Sequence, residues 1–135
     1  MAKAKTKNYI YAVGKRKSST ARVRLFKGQE ESTVNGDLIG KYFPGASSLA
    51  AWNRPFDEVE LSGKYYFTAR VTGGGKKGQI DAVIHGISRA IVKIKETHKK
   101  TLKKAGLLSR DSRIRERRKV GMGGKSRRKR QSPKR

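Results

Sequence analysis

An abrupt change of composition after Ser109 limits how much of this chain can fold around a core. Residues 110–135 hold 13 of the 35 Lys and Arg residues, with two acids and no aromatic residue. Such a segment cannot bury enough apolar surface to offset the entropy lost when it becomes ordered. It therefore predicts an extended arm, whose 26 residues reach about 85 Å when fully stretched. The folded body must come from the first 109 residues.

The net charge of +25 in 135 residues indicates a partner with dense negative charge, because a compact body of this charge repels itself. Nucleic acid and anionic membrane are the two candidates. No run approaches the roughly 18 apolar residues that span a bilayer, and the apolar stretch 9–13 is too short for a secretion signal. The chain has no cysteine, which excludes disulfides and thiolate metal sites and fits a reducing cytoplasm.

Four segments of the body have the composition of β-strands. Residues 9–13 are aromatic and branched, and Gly14 is expected to end this strand. Residues 21–26 alternate apolar side chains with Arg, which is the period of a strand with one buried face. A short strand at 32–34 precedes an Asn-Gly turn, and 64–72 is the clearest strand. Between the last two, Asp37 is expected to cap a short helix and 47–52 to form another helical turn.

A long helix is predicted from Lys76 onward, after the break at Gly73–Gly75. Its apolar residues recur at spacings of three and four and form one stripe: Ile80, Val83, Ile84, Ile87, Ile91 and Ile94. Gly106 is expected to end the helical region. Strands followed by a helix over the sheet make a two-layer α/β domain. We therefore expect a basic N-terminal extension at 1–8, a globular body at 9–109 and a basic tail at 110–135.

Three basic clusters are candidates for phosphate contacts. Lys15, Arg16 and Lys17 with Ser18 lie in a loop between strands, although a simple charged turn is the alternative. Lys76 and Lys77 follow three glycines at a helix N-terminus, where backbone amides favour an anion. The tail is rich in Arg, which suits bidentate phosphate contacts. If about six to ten tail residues each neutralise a phosphate, affinity falls about 10³- to 10⁵-fold between low and moderate salt.

The sequence does not favour catalysis. His85 lies among apolar helix positions and is expected to pack rather than to react, and His98 lies among lysines. With no cysteine and ten scattered acids, neither a metal site nor a catalytic triad can be assembled. The aromatic residues Trp52, Tyr65, Tyr66 and Phe67 are expected to pack the core, with base stacking by an exposed aromatic as the alternative. No cofactor is expected.

The order of these motifs resembles the small-subunit ribosomal protein nine family. The opening Y-A-V-G-K-R-K-S-S-T-A-R-V at 11–23 is similar to that of the family, and so are the stretches 34–36, 42–43, 71–79 and 85–90. The most specific stretch runs from L-S-R-D-S-R at 108–113 to E-R-R-K-V-G at 116–121. The resemblance covers nearly all of the chain after residue 8. It departs at the C-terminus, where Gln131-Ser132-Pro133 stands in place of an aromatic residue and Ser.

The resemblance implies a two-layer fold like the second domain of ribosomal protein S-five, with a left-handed βαβ crossover. It implies a body on the head of the small subunit and a tail that runs through ribosomal RNA toward the peptidyl-site tRNA. Neighbouring head proteins are further expected partners, in a cytoplasmic ribosome or alternatively an organellar one. The expected rRNA-binding residues are Lys15, Arg16, Lys17, Ser18, Arg22, Lys76, Lys77, Arg89, Arg110, Arg113, Arg117, Arg118, Lys119, Arg127, Arg128, Lys129 and Arg130. The expected tRNA contacts are Lys134 and Arg135.

A DNA-compacting chromosomal protein is the competing hypothesis. The Ser-Pro-Lys-Arg end at 132–135 resembles a repeat of some histone tails, but it occurs once. Compaction needs charge, with or without dimerisation, whereas this chain also has a patterned sheet, a glycine turn and a separate arm. An enzyme acting on nucleic acid would need acids or histidines brought together, and the sequence nominates no such pair.

Overall fold

The computed structural model describes residues 8–117 and 119–121. Five strands form one sheet in the order β1-β2-β5-β3-β4, in which β3 pairs with β5 in parallel and the other pairs are antiparallel. The elements are β1 Ile10–Arg16, β2 Ser19–Lys27, β3 Thr33–Val34, β4 Asp37–Leu38, α1 Ile39–Tyr42, α2 Ala46–Glu58, β5 Tyr65–Thr72, α3 Lys76–Ile94 and α4 His98–Lys104.

The sheet has one buried and one open face, as the alternation in 21–26 predicts. Along β2, Ala21, Val23 and Leu25 are buried while Arg22 and Arg24 are exposed. Helices α2 and α3 cover the buried face, where Phe67 of β5 is fully enclosed. Rings of α2 lie against that residue, with Phe56 stacked on it and Trp52 at an angle of 70° to it. The predicted mixed α/β architecture of sheet and helices is therefore confirmed.

The apolar stripe of α3 packs on β1 and β2. Val83, Ile87 and Ile91 are buried, and Ile80, Ile84 and Ile94 are partly buried against the same core. Helix α3 and strand β1 approach closely because Gly14 of the strand lies against Gly86 of the helix. A Cβ on Gly14 would lie 1.9 Å from the Ala82 carbonyl oxygen, and one on Gly86 would lie 2.7 Å from Val23. The prediction that Gly14 ends β1 is wrong, since the strand continues to Arg16 and needs this glycine for contact with the helix.

The outer edge of β1 is covered by side chains of α3. An edge strand exposes backbone groups that invite pairing with another chain. Here three α3 residues four positions apart satisfy them: Lys15 N donates to His85 Nδ1 (3.3 Å), Arg89 Nη1 donates to Val13 O (2.6 Å) and Lys93 Nζ donates to Tyr11 O (2.5 Å). The expectation that His85 serves helix packing is consistent with this contact and with its partial burial.

The Asn35-Gly36 turn closes a two-residue hairpin between β3 and β4. Both turn residues have positive φ, 51° and 86°, as the type I′ turn of a two-residue hairpin requires. Val34 therefore pairs with Asp37 in the returning strand. The prediction that Asp37 caps a helix is wrong for this reason, and α1 begins at Ile39 after Leu38.

The remaining helices differ in length from their predictions. Helix α2 covers the predicted 47–52 and continues through Pro55, which is buried together with Phe56. The helical region after α3 is interrupted at residues 95–97, and α4 buries Leu102 in the core. Gly106 ends the region as predicted, since Leu107 N donates to Leu102 O (3.0 Å) and Gly106 N to Lys103 O (3.1 Å), the pattern of a Schellman motif. Phe67 and Tyr66 are buried, and Trp52 and Tyr65 partly so.

The chain passes from β3 to its parallel neighbour β5 through β4, α1 and α2, so the sheet contains a βαβ unit. In the described part of the chain, no helix is both long and apolar enough to cross a bilayer.

Candidate nucleic-acid interface

The open face of the sheet carries three arginines and no acid among the described residues of β1, β2 and β5. Arg22 and Arg70 are direct cross-strand partners, and Arg24 pairs with Tyr11 of the edge strand. All four side chains are exposed. They line a shallow groove of about 570 Å³ together with Tyr9, Thr33, Gly36 and Thr68. Like charges directly opposite each other destabilise a sheet, so this face is better suited to an anionic partner than to water alone.

Aromatic rings continue this face at one end. Tyr9 and Phe26 have ring centroids 5.6 Å apart, and Phe26 stacks on Tyr66 at 5.2 Å with an angle of 12° between the rings. The Arg24 guanidinium lies 5.1 Å from the centre of the Tyr9 ring, within cation–π range. Tyr9 is 49% exposed and Tyr11 41%. Exposed rings beside arginines provide stacking surfaces for unpaired bases in addition to charge for phosphates.

The two predicted basic loops meet at one end of the sheet. The β1–β2 turn contains Lys17 with φ 52° and packs on the glycines that precede α3. Ser19 Oγ donates to Gly73 O at 3.1 Å. A Cβ on Gly74 would lie only 2.2 Å from the same hydroxyl oxygen, so the contact requires glycine. The fold thus joins the cluster at 15–18 to the one at 76–77, which sequence analysis treated as separate.

Within this joined cluster, the two lysines of α3 differ. Lys77 is exposed, whereas Lys76 turns back on the body. Its Nζ donates to Tyr42 O at 3.0 Å and lies 3.4 Å from the centre of the Tyr42 ring. The charge of Lys76 is therefore held near the helix N-terminus, and Lys77 is the freer of the two.

Arg16 fastens the start of the tail to the body. Its side chain is only 13% exposed, and its Nη1 lies 3.2 Å from Asp111 Oδ1 while its Nε lies 3.7 Å from Asp81 Oδ2. The same Nη1 donates to the backbone oxygens of Asp111 (3.4 Å) and Arg113 (3.0 Å). A mostly buried guanidinium that combines an ion pair with hydrogen bonds to two backbone oxygens fixes direction as well as position. We call this contact, with residues 109–113, the tail root.

Asp111 organises the tail root from the other side. Arg113 donates to its carboxylate from Nε (3.0 Å to each oxygen), Nη2 (2.7 Å) and the backbone N (3.0 Å). These bonds hold the pKa of Asp111 well below its usual range, with Arg113 as the larger cause and Arg16 as a smaller one. The carboxylate is thus charged at any physiological pH.

His85 lies beside the tail root in a pocket of about 250 Å³ shared with Lys15, Arg16, Arg110 and Asp111. Burial lowers the pKa of this histidine below 6.5, a hydrogen bond with the Leu108 backbone partly opposes the change, and the nearby charges of Arg89 and Arg110 lower it further. The neutral imidazole accepts the Lys15 amide hydrogen. Among the described residues, no group of His, Asp and Glu has the arrangement of a metal site.

The family profile described as ribosomal protein S9/S16 matches residues 14–135. This range includes the joined cluster at 15–18 and 76–77, the tail root and the tail. The chain belongs to the ribosomal protein S9/S16 family. Membership identifies it as a ribosomal protein of the small subunit, part of a ribonucleoprotein that acts in translation, and RNA binding is typical of this family. The family is structural rather than enzymatic.

The predicted contact residues of this S9/S16 protein fall into three groups. Exposed residues with no side-chain partner among those described are Lys15, Lys17, Ser18, Arg22, Lys77, Arg110, Arg117 and Lys119. Residues whose side chains bond within the chain are Arg16, Lys76, Arg89 and Arg113. Outside the described residues lie Arg118, Arg127, Arg128, Lys129, Arg130, Lys134 and Arg135. RNA binding by each of these residues stays a prediction.

Four residues of the open face were not among the predicted contacts: Arg24, Arg70 and the two exposed tyrosines, Tyr9 and Tyr11. Arg24 was detectable, because it alternates with apolar residues two positions after Arg22. Arg70 and Tyr11 were not, because only the pairing register brings them beside β2.

Proposed function

We propose that this S9/S16 protein binds small-subunit rRNA in the head through the open face and the joined loops, while its tail extends toward the peptidyl-site tRNA. The main support for rRNA binding is the pairing of Arg22 with Arg70 on the open face, which has no acid among the described residues of β1, β2 and β5. This unfavourable pairing becomes favourable when phosphates lie between the guanidiniums. The tail root supports the rest, because it gives the arm a defined starting direction.

The proposal keeps the division into an extension at 1–8, a body at 9–109 and a tail at 110–135. It also assigns the body to the S-five domain-two-like folds with a left-handed crossover, which the parallel β3–β5 pair and the helices between them support. The partners are rRNA, peptidyl-site tRNA and neighbouring head proteins, with neither a membrane nor a small molecule. We place this ribosome in the cytoplasm.

The test is reconstitution of small subunits that lack the natural protein. The full chain should co-sediment with subunits in a sucrose gradient at high salt. Replacing Lys134 and Arg135 with Gln should leave sedimentation unchanged but weaken retention of peptidyl-site tRNA several-fold, because two phosphate contacts are lost.

The matched control replaces Lys99 and Lys100, two exposed residues of α4, with Gln and thereby removes the same charge. Equal tRNA retention by both variants would refute the role of the tail end, and failure to co-sediment would refute the ribosomal role as a whole.

A further inference from the structure

One stretch of this basic chain carries the opposite charge. Residues 28–63 contain six acids (Glu30, Glu31, Asp37, Asp57, Glu58 and Glu60) and two bases (Lys41 and Arg54), a net charge of −4. The other residues therefore carry +29. The segment contains β3, β4, α1 and α2, so it is a folded region and not an acidic tail.

An apolar groove of about 620 Å³ lies within this region. Its walls come from the β2–β3 loop, α1, α2 and the loop before β5. Leu38 and Leu49, with Trp52 and Phe56 of α2, supply apolar surface. The charged residues along it are the acidic pair at 30–31 and Lys41, which leaves the lining with a net negative charge. Leu38 is 48% exposed and Leu49 51%, which is far more than a core leucine shows. Apolar side chains that converge on a groove with a polar rim are typical of a site for another protein.

We infer that this acid-rich groove binds a basic, extended segment of a neighbouring protein in the small subunit, with one apolar side chain of that segment inserted between Leu38 and Leu49. The inference rests on the proposed ribosomal function for the source of the partner. Phosphates are repelled by a surface of net negative charge, so RNA does not fit here as it fits the open face. A protein that lies among RNA phosphates is itself expected to be basic, and its charge complements the groove.

Binding of a peptide to the isolated full chain tests the groove directly. The probe is a short fluorescent peptide of lysines and arginines with a central leucine, measured by fluorescence anisotropy. The rest of the chain repels this peptide, so binding requires the local acids. Leu49→Ser should weaken binding about fivefold, because half of a leucine side chain remains to be buried. The double change Glu30→Lys and Glu31→Lys should abolish it.

Two controls outside the groove match these changes. Val120→Ser removes an exposed apolar side chain. The double change Glu96→Lys and Glu116→Lys reverses two exposed acids, and both control variants should bind the peptide like the unaltered chain. Circular dichroism verifies that each variant is folded. Absence of binding at low salt, or equal binding by the groove variants and their controls, would overturn the inference.

Photocrosslinking in reconstituted subunits identifies the occupant. A photoreactive phenylalanine derivative at position 49 should join a basic protein segment, and the same group at position 11 on the open face should join RNA. Crosslinks from position 49 to RNA, or to a second copy of this chain, would contradict the inference but would not affect the proposed function. If the chain does not enter subunits, the proposed function fails, and the peptide measurement alone decides whether the groove binds basic segments.

Discussion

The open face of the sheet and the acid-rich groove are exposed surfaces of the same small body, yet they differ in charge and in the source of their residues. The open face combines alternate residues of three strands, β1, β2 and β5, and depends on the pairing register. The groove takes its residues from one continuous segment around α1 and α2. Guanidiniums and phenol rings characterise the first, and leucines with carboxylates the second.

The net charge of +25 is therefore an average over two kinds of surface. Six of the ten acids lie in residues 28–63, where RNA is not expected to bind, and the open face has none among the described residues of its strands. Segregation of charge orients a protein in an electrostatic field, because one side is drawn toward phosphates and the other is repelled. Variants that affect one surface and spare the other can therefore test the comparison.

The variant with the largest expected effect is Gly14→Ala, which should destabilise the whole body and with it both surfaces. Gly14→Ala places a methyl group 1.9 Å from a backbone oxygen of α3, a clash that no side-chain rotation relieves. We expect the free energy of unfolding to fall by about 3 kcal/mol, measured by urea denaturation followed by circular dichroism. Since α3 and β1 support the whole sheet, RNA binding and peptide binding should be lost at the same urea concentration.

Gly75→Ala is the matched control, because a Cβ there meets no atom within 4 Å and the residue has negative φ. Equal loss of stability in both variants would contradict the close approach of β1 and α3.

A variant of intermediate effect changes the open face and leaves the groove intact. Arg22→Thr removes one of the opposed guanidiniums and should raise the free energy of unfolding by a few tenths of a kcal/mol. The same change should weaken binding of single-stranded RNA and reduce the slope of log affinity against log salt by about 0.7 for one lost phosphate contact. Stability and affinity thus change in opposite directions, as measured by denaturation and by filter binding across salt concentrations.

Lys41→Thr removes the same charge from the groove and should change neither quantity measurably. A lower stability of Arg22→Thr would show that Arg22 is a structural residue and would remove the main support for RNA on the open face.

The smallest expected effect depends on pH and is confined to the tail root. Because burial lowers the pKa of His85 below 6.5, the folded state binds this proton less readily than the unfolded state does. The contribution of the neutral imidazole is complete above pH 6.5 and decreases as the pH falls below it toward the lower folded pKa. Amide exchange of Lys15, which donates to His85, should therefore accelerate on acidification.

The amide of Leu61, bonded to Phe56 O near the groove, should show no such step in the same nuclear magnetic resonance experiment once intrinsic exchange is corrected for. His85→Gln should remove the step at Lys15. A step that persists in this variant would exclude His85 as its cause.

Much of the fold was predictable, because short-range patterns produced it. The alternation in 21–26 and the apolar stripe of α3 reflect the two backbone periods, and Asn35-Gly36 meets the φ requirement of a tight hairpin. The failures occurred where a distant contact overrode a local preference. Gly14 suggested a break, but it is the residue that lets β1 approach α3. Asp37 suggested a helix cap, but it pairs with Val34 in the β3–β4 hairpin and is therefore part of a strand.

The candidate interface was predictable in composition but not in arrangement. The basic clusters and their RNA partner followed from charge and from the family motifs. The sequence did not indicate that Arg16 donates hydrogen bonds to the start of the tail, or that Arg89 donates one to the backbone of β1. It also could not pair Arg22 with Arg70, since these residues lie far apart along the chain.

The sequence alone predicts a folded body with a basic arm and an anionic partner, and it contains the motifs of a small-subunit ribosomal protein. These properties depend on composition and on neighbours within a few residues. Only the tertiary structure shows which basic residues bond within the chain, how residues 109–113 are held by Arg16, and how acidic and basic residues separate onto different surfaces. Each of these depends on strand register and helix packing, which bring together residues that local sequence does not connect.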